Sequence, residues 1–257
     1  MILRRFEDAA TFLEANESLL LTDEAKYNLA LGVAQRCRDG EPFGPEPPWF
    51  AALEEAGRAT VAAIHTPPFA LNLTDATESA IEAIIEALIA EEHLLPGVVA
   101  PADTAQLFGR LWHRATGAHV ETAFRQALYR LDQVEKIAIP SGRMRAAHRT
   151  DTERARHWTH RFQIDCRLPE AEAEPPTRVL ALEEGRLFFW EDDNGPNAMA
   201  AWSRPTPNGV CIGYVYTPDF YRGRGYASAL VASLSQKLLD EGKSFCCLFT
   251  DLANSVS

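Results

Sequence analysis

A glycine-rich segment near the C-terminal end of the sequence carries the residues best suited to chemistry, Arg222-Gly-Arg-Gly-Tyr-Ala227. A β-branched and aromatic run that ends at Thr217-Pro218 precedes it, and a helical pattern follows. This order predicts a strand, a loop and the N-terminus of a helix. Free backbone N–H groups at a helix start, with arginines beside them, form a site for phosphate groups. The segment therefore predicts that the protein binds a phosphorylated small molecule.

The spacing of the glycines distinguishes this loop from two other phosphate loops. A dinucleotide fingerprint G-x-G-x-x-G would need a third glycine where Ser228 stands, and it would open a βαβ unit. A Walker A loop would need a Lys-Ser or Lys-Thr pair after the glycines, which this loop lacks. Neither nucleotide motif is therefore expected here.

Read as R-x-x-G-x-A, the loop and the preceding strand Tyr214-Val-Tyr-Thr-Pro218 resemble the acyl-CoA-binding motif of the GNAT acetyltransferase superfamily. The resemblance implies acetyl-CoA as the acyl-donor substrate, with its pyrophosphate on the loop. It also implies that the strand pairs with the pantetheine arm as a β-strand ligand does. A backbone N–H near Val215 or Tyr216 would polarise the acetyl carbonyl and hold the tetrahedral oxyanion. The implied CoA-binding residues are Val215, Tyr216, Thr217, Arg222, Gly223, Arg224, Gly225, Tyr226, Ala227 and Asn254.

The resemblance covers residues 143 to 254, which follow the superfamily's order of strand, helices, three-stranded meander, signature loop, helix and strand. The whole chain resembles a bacterial two-domain subgroup, in which a divergent N-terminal GNAT-like domain without a CoA loop precedes the active one. In the superfamily a helix and two more strands follow, whereas this sequence ends at Ser257. The tyrosine that many members place on that helix, as general acid for the CoA thiolate, has no counterpart here. The edge of the strand that ends at Thr250 would then invite a partner strand.

Few residues are candidates for proton transfer. An amine must be neutral to attack a thioester, so a carboxylate, or a water held by one, is the usual base. The strand from Val210 to Tyr216 contains no carboxylate, which leaves Glu191 on a neighbouring strand and Asp251 after a later one. Tyr216 is either a polar group near the acetyl site or a core residue. The candidate catalytic residues are thus Tyr216, Glu191 and Asp251.

The charge distribution excludes some partners. Residues 1–140 carry 11 Lys and Arg against 21 Asp and Glu, and residues 141–257 carry 14 against 15, for a net charge of −11. Neither half offers the basic field that nucleic acid requires. No apolar run approaches the roughly 20 residues of a membrane helix. We therefore expect neither a nucleic acid nor a membrane partner.

The cysteines and histidines predict no disulfide framework and no metal site. The five cysteines are odd in number and form no C-x-x-C pair, which is typical of a protein in the reducing cytoplasm. Cys246 and Cys247 are adjacent in a predicted strand, so their side chains should point to opposite faces. His157 and His160 have a spacing that could suit a metal on a helix. No carboxylate or cysteine completes that set, so an amphipathic helix is the stronger interpretation.

Two domains are predicted, residues 1–140 and 141–257, with the boundary at the structure breakers Pro140, Ser141 and Gly142. In the first, Thr22-Asp23 should cap a helix to about Gln35, and residues 74–91 and 103–115 should form two more. Strands are predicted at Trp49–Leu53, Ala59–Ile64, Gly97–Ala100 and, less clearly separated from helix, Val120–Leu131.

In the second domain, Thr150-x-x-Glu153 is interpreted as a capping box that opens a helix. Tight turns should join three antiparallel strands, and a strand after the crossover helix should run parallel to the third. These strands are predicted at 186–190, 198–203, 210–216 and 244–250. The expected fold is therefore α/β (α+β), with two GNAT-like domains, each a mixed, mostly antiparallel sheet flanked by helices.

The predicted function is an N-acetyltransferase that passes an acetyl group from acetyl-CoA to a primary amine by direct attack in a ternary complex. The acceptor would be a small-molecule or peptide amine, and the acidic first domain could attract a cationic one. The alternative is a catalytically impaired acyl-CoA-binding or interaction protein on a GNAT scaffold. Pairing through the sheet edge makes a homodimer possible.

Overall fold

The computed structural model describes residues 1–41, 43–166, 168 and 179–253. The chain divides into two compact units, residues 1–125 and 126–257. Each unit has its own sheet with helices on both faces. In the described ranges no helix has the length and apolar character needed to cross a membrane.

The first unit contains a five-stranded sheet in the order β1-β2-β3-β4-β5, antiparallel except for the last pair. Its strands are β1 (Ile2–Phe6), β2 (Trp49–Glu55), β3 (Arg58–His65), β4 (Leu71–Leu73) and β5 (Val98–Val99). Its helices are α1 (Ala9–Leu20), α2 (Asn28–Arg38), α3 (Glu78–Ala90) and α4 (Ala102–Thr116).

Strand β2 shows how this unit forms its core. Trp49, Ala51 and Leu53 point into a cluster with α3 and α4, while Phe50 and Ala52 point into a second cluster with α1 and α2. All five are buried, because both faces of the strand are covered. A continuous apolar run in the sequence therefore becomes a central strand between two layers of helices.

Three elements of this unit, β1, α1 and β4, were not predicted, and one helix begins later than expected. β1 and α1 precede the first predicted helix, and Asp8 caps α1 by accepting a hydrogen bond from the Thr11 N–H. The helix predicted from Thr22-Asp23 begins only at Asn28. Asp23 instead accepts from the Lys26 N–H, which closes a local turn before the helix.

The second unit contains a six-stranded sheet in the order β6-β11-β10-β9-β8-β7. Its strands are β6 (Gln126–Leu131), β7 (Arg143–Ala146), β8 (Leu187–Asp192), β9 (Gly195–Ser203), β10 (Gly209–Tyr216) and β11 (Phe245–Asp251). Its helices are α5 (Thr152–Asp165), α6 (Leu180–Glu183) and α7 (Tyr226–Asp240). The meander β8-β9-β10 is antiparallel and β11 runs parallel to β10, as the sequence predicts.

Strand β6 corrects the interpretation of the segment before Pro140. The sequence predicts a strand at Val120–Leu131 in the first half, but only Gln126–Leu131 is a strand. It pairs antiparallel with β11, from Leu131–Cys246 to Gln126–Asp251. It occupies the edge of β11 that we expected to be exposed. Residues 126–140 therefore lie with the second unit, although they precede the predicted boundary.

The start of α5 also differs from the prediction. The capping box is formed by His148 and Asp151 around a short 3₁₀ turn at Arg149–Asp151, and not by Thr150 and Glu153. Asp151 accepts from the His148 N–H at 2.9 Å and from Arg145 at 2.7 and 3.0 Å. A buried carboxylate thus fixes the entry to α5 on the sheet.

Candidate functional site

The strands β10 and β11 share only a short parallel ladder. Their paired residues run from Gly209–Phe245 to Cys211–Cys247. Beyond this point β10 continues to Tyr216, while β11 continues to Asp251 with its other edge on β6. A gap bordered by two strand edges therefore opens in the sheet next to the glycine-rich loop.

A β-bulge changes the direction of the side chains at the end of β10. Gly213 pairs with Ala201 and Tyr216 pairs with Met199, so β10 contains one extra residue, and Tyr214 adopts a left-handed φ of +51°. As a result Val215 packs against the core under α7, whereas Tyr216 enters the core under α5. A regular strand would place Tyr216 on the same face as Ile212.

The loop after β10 leaves the N-terminus of α7 open. Gly223 and Gly225 have φ values of +75° and +80°, and the N-cap residue Gly225 contributes no side-chain hydrogen bond to the first turn. The corresponding helix of the first unit differs, because the Thr77 hydroxyl accepts from the Ala80 N–H. The first turn of α7 can therefore offer its backbone N–H groups to an anion.

Arg222 is held by the protein itself. Its guanidinium donates to the Asp165 carboxylate at 2.6 Å and to the Thr217 carbonyl at 2.9 Å, and it lies 3.0 Å from Asp219. Its side chain is 40% exposed. Arg222 thus stabilises the turn of the loop and ties it to the last residue of α5, and it keeps one open side toward solvent.

Arg224 is the more available of the two loop arginines. It is exposed, and its guanidinium carbon lies 5.0 Å from the centre of the Phe220 ring and 5.9 Å from that of Tyr221. The aromatic contacts orient the cation without neutralising it. Arg224 can therefore supply a positive charge to a phosphate bound at the start of α7.

A buried hydroxyl at the end of β10 has no hydrogen-bond partner among the described residues. The Thr217 Oγ1 atom is inaccessible to solvent, and within the part of the chain that the structure describes it makes no hydrogen bond. Such a group costs free energy unless a ligand or a water satisfies it. The loop therefore offers backbone N–H donors and a cation that suit a phosphate group, beside a hydroxyl that lacks a partner.

The side chains of Tyr226 and Ala227, at the start of α7, do not point to the loop as ligands. Tyr226 is buried in the core under α7, and its hydroxyl donates to Asp192 at 3.2 Å. Its side chain therefore anchors the helix start, and only its backbone can serve the loop. Ala227 is partly exposed in the first turn of α7, so its small side chain leaves the surface beside the loop open.

The structure places Tyr216 and Glu191 in structural contacts. Tyr216 is 7% exposed and its ring packs against Trp158 of α5, with 5.8 Å between ring centres. Glu191 makes ion pairs with Arg145 and, at 3.3 Å, with Arg143. The hydrogen bond from Arg145 lowers the pKa of Glu191. A carboxylate stabilised in this way is a weak base, which argues against the predicted role for Glu191.

Asp251 lies at the end of β11, beyond the residues of β11 that pair with β10. It is partly exposed, and accepts a hydrogen bond from the Ala253 N–H at 2.9 Å. Burial, and to a smaller extent the charges of Asp165 and Asp251, raise the pKa of the Cys166 thiol, which follows α5. The end of α5 and the end of β11 are therefore near each other. Asn254, the predicted contact of the CoA arm, lies outside the described residues.

Asp165 is the site residue that the sequence analysis missed. It is separated from Arg222 by 57 residues, and nothing in its local sequence marks it. Only the packing of α5 on β10 brings the pair together, including a contact between Phe162 and Tyr214 with ring centres 5.3 Å apart. The described ranges contain no group of three or more His, Cys, Asp or Glu side chains that could hold a metal ion.

Comparison with known proteins supports the resemblance to the GNAT superfamily. Residues 150–257 match the model of the Acetyltransferase (GNAT) family, and no curated protein matches the chain. A GCN5-related N-acetyltransferase from Sphaerobacter thermophilus has a similar fold, with 16% identity, a TM-score of 0.56, and coverage of 100% of this chain and 88% of that one.

Two further solved structures share the fold over almost the whole chain. A tandem GNAT protein from the clavulanic acid biosynthesis pathway has 12% identity and a TM-score of 0.51, and a Drosophila malonogaster protein has 11% and 0.63. Each comparison covers 98% of this chain and 90% of the other. The predicted fold class is thus confirmed. Residues 150–257 match the GNAT acetyltransferase family model, and the chain shares its fold with a tandem GNAT protein.

Proposed function

We propose that the protein transfers an acetyl group from acetyl-CoA to a primary amine by direct attack in a ternary complex. The observation that carries this proposal is the open N-terminus of α7, which follows a loop with two left-handed glycines and Arg224. The loop lies after β10, and β11 pairs with β10 only at the start of that strand. Acetyl transfer to an amine is the general reaction of the matched family.

In this proposal the loop binds the donor. Arg224, the exposed side of Arg222 and the backbone N–H groups of Gly225, Tyr226 and Ala227 hold the CoA pyrophosphate, because charge and helix-terminal donors act together there. The edge of β10 near Val215 and Thr217 pairs with the amide-bearing pantetheine arm. The sequence of residues 1–140 contains no R-x-x-G-x-A loop, so a single donor site is proposed for the chain.

The reaction would proceed without a covalent enzyme intermediate. The amine nitrogen attacks the acetyl carbonyl, a C–N bond forms, and the C–S bond breaks as the tetrahedral intermediate collapses. A backbone N–H near Val215 or Tyr216 stabilises the oxyanion. Asp251, directly or through a water, accepts the proton that the amine loses, and the CoA thiolate leaves and is protonated. The five free cysteines fit a proposed cytoplasmic location.

An alternative is a protein that binds acyl-CoA but transfers no acetyl group. The ion pairs of Arg222 with Asp165 and Asp219 favour it, because they withdraw one predicted phosphate ligand from the loop. Under this alternative acetyl-CoA binds weakly, and no amine increases the release of CoA.

The proposed function is tested by following CoA thiol release from acetyl-CoA with a panel of polyamines, aminoglycosides and lysine peptides. We expect at least one amine to accelerate release in proportion to enzyme concentration. Binding of acetyl-CoA in the calorimeter without amine-dependent release across the panel would support the alternative. The absence of any binding at millimolar acetyl-CoA would contradict both.

A further inference from the structure

Cys211 and Cys247 lie side by side on the last rung that β10 and β11 share. They are direct register partners in the parallel ladder, and each is a free thiol with 2% exposure. Neighbouring strands are about 4.8 Å apart. That separation falls inside the range of about 4.4–6.8 Å between the Cα atoms of disulfide-bonded cysteines.

Both thiols point to the same face of the sheet. Val210, Ile212 and Cys246 belong to the core under α7, so their neighbours Cys211 and Cys247 point to the opposite face. Cys246 is thereby separated from the pair by the sheet itself. Its Sγ atom lies 4.0 Å from the Ser235 carbonyl of α7.

A cation is held against one member of the pair. The Arg204 guanidinium donates to the Cys211 Sγ atom at 2.9 Å, and its carbon lies 5.5 Å from the centre of the Phe249 ring. A guanidinium at this distance favours the thiolate over the thiol. The hydrogen bond with Cys247 and then the charge of Arg204 lower the pKa of Cys211, against the effect of burial.

The other cysteines lack this environment. The pKa of Cys247 is raised by its hydrogen bond with Cys211 and by burial, so it is the protonated partner. Burial also raises the pKa of Cys246 and Cys166, and it raises that of Cys37 to about 11. The pair thus combines a thiolate with an adjacent thiol. The part-exposed side chains of Arg204 and Phe249 lie beside it, where a small oxidant can approach.

We propose that Cys211 and Cys247 are a modification site at which a peroxide forms a disulfide between β10 and β11. The Cys211 thiolate attacks one oxygen of hydrogen peroxide, the O–O bond breaks, and hydroxide leaves and is protonated to water. The sulfur is oxidised by two electrons to a sulfenic acid while the peroxide is reduced. The Cys247 sulfur then attacks the Cys211 sulfur, the S–S bond forms, and the S–O bond breaks with release of a second water. A dithiol reductant reverses the modification.

The site goes beyond acetyl transfer, and its test does not depend on that activity. The full-length protein is treated with hydrogen peroxide, denatured, alkylated with N-ethylmaleimide and digested for peptide mass spectrometry. We expect a peptide in which Cys211 is linked to Cys247, and its loss after treatment with dithiothreitol. Cys247→Ser should stop the reaction at a Cys211 sulfenic acid that dimedone traps.

Two further variants show which residues are responsible. Cys246→Ser is the matched control, because it removes the adjacent cysteine on the other face and should leave the linked peptide unchanged. Arg204→Gln should slow formation of the disulfide, because it removes the guanidinium that favours the Cys211 thiolate. The proposal is overturned if Cys211 and Cys247 remain fully alkylated after peroxide treatment, or if the disulfide contains Cys246. Should Cys247→Ser fail to fold, the peptide map of the wild-type protein still decides.

Discussion

Arg222 of the glycine-rich loop and Asp165 at the end of α5 form a 2.6 Å ion pair that joins two separate parts of the domain. The loop arginine therefore does two things: it fixes the loop turn through Thr217, and it connects the donor loop to the helix that packs on β10. A phosphate that approached Arg222 would have to compete with a carboxylate for it. Under the proposed function, this pair links donor binding to the position of α5.

Removing the competing carboxylate should strengthen donor binding. We expect Asp165→Asn to raise the affinity for acetyl-CoA about threefold, and to reduce the free energy of unfolding by less than about 1 kcal/mol, because the pair is partly exposed. Calorimetric titration and urea unfolding measure the two effects. Asp240→Asn, at the exposed far end of α7, is the control for the same change of charge. An unchanged or weaker affinity in Asp165→Asn would show that Arg222 is not a phosphate ligand.

The two carboxylate candidates should behave differently in a kinetic assay. Asp251→Asn should lower kcat about 100-fold with little change in acetyl-CoA affinity, because it removes the proposed proton acceptor. Glu191→Gln should instead reduce stability, since Glu191 pairs with Arg145 and Arg143, and should leave kcat within about threefold of the wild-type value. Initial rates with a saturating amine separate the two. A large rate loss in Glu191→Gln alone would reverse the assignment.

The ion pairs at the start of α5 should make the second unit sensitive to acid. Hydrogen bonds from Arg145 lower the pKa of Asp151 below its ordinary 3.8 and that of Glu191 below 4.5. Both carboxylates therefore stabilise the fold above about pH 4.5, and this stabilisation is lost as the pH falls through their lowered values. Asp151→Asn should reduce the free energy of unfolding by about 3 kcal/mol at pH 7, and the difference should shrink at pH 3.

Urea unfolding at both pH values measures this difference. Asp193→Asn, at an exposed turn position, is the control and should differ from wild type by less than about 0.5 kcal/mol. A deficit in Asp151→Asn that stays the same size at pH 3 would mean that the charge of Asp151 is not the cause.

The pairing of β6 with β11 predicts where an independent second unit must begin. A chain of residues 126–257 should fold cooperatively, whereas residues 141–257 should be unstable or associate, because the edge of β11 would be exposed. Circular dichroism during thermal unfolding, together with light scattering, distinguishes the two. Equal stability of the two chains would show that β6 is dispensable, and would favour the boundary predicted at Pro140.

Local signals in the sequence were sufficient for most of the second unit. Tight turns and β-branched runs predicted β8, β9, β10 and β11, and the glycine spacing predicted the loop before α7. These features depend on neighbouring residues, so they can be recognised without a fold. The Thr150–Glu153 capping box failed because His148 and Asp151, two residues earlier, compete for the same helix start.

Features that depend on distant residues were not predictable in the same way. The position of β6 in the second sheet depends on β11, more than 100 residues later. The Asp165–Arg222 pair and the buried positions of Tyr216 and Tyr226 likewise result from packing of α5 and α7 on opposite faces of one sheet. The bulge in β10 reverses the side chain of Tyr216. Its local signal is Gly213, because a glycine inside a strand pattern often marks a bulge, but the glycine alone does not say which side chains change face.

Titration of acetyl-CoA into the wild-type protein and Arg224→Ala tests the central claim most directly. We expect micromolar binding to wild type, and a loss of about tenfold or more in Arg224→Ala, since a charge-assisted bond to phosphate contributes about 1.5–3 kcal/mol. The melting temperature should not change, because Arg224 is exposed. Arg149→Ala, an exposed arginine before α5, should bind as wild type does. Equal affinity of Arg224→Ala and wild type, or no binding to either, would contradict the assignment of this loop as the acetyl-CoA site.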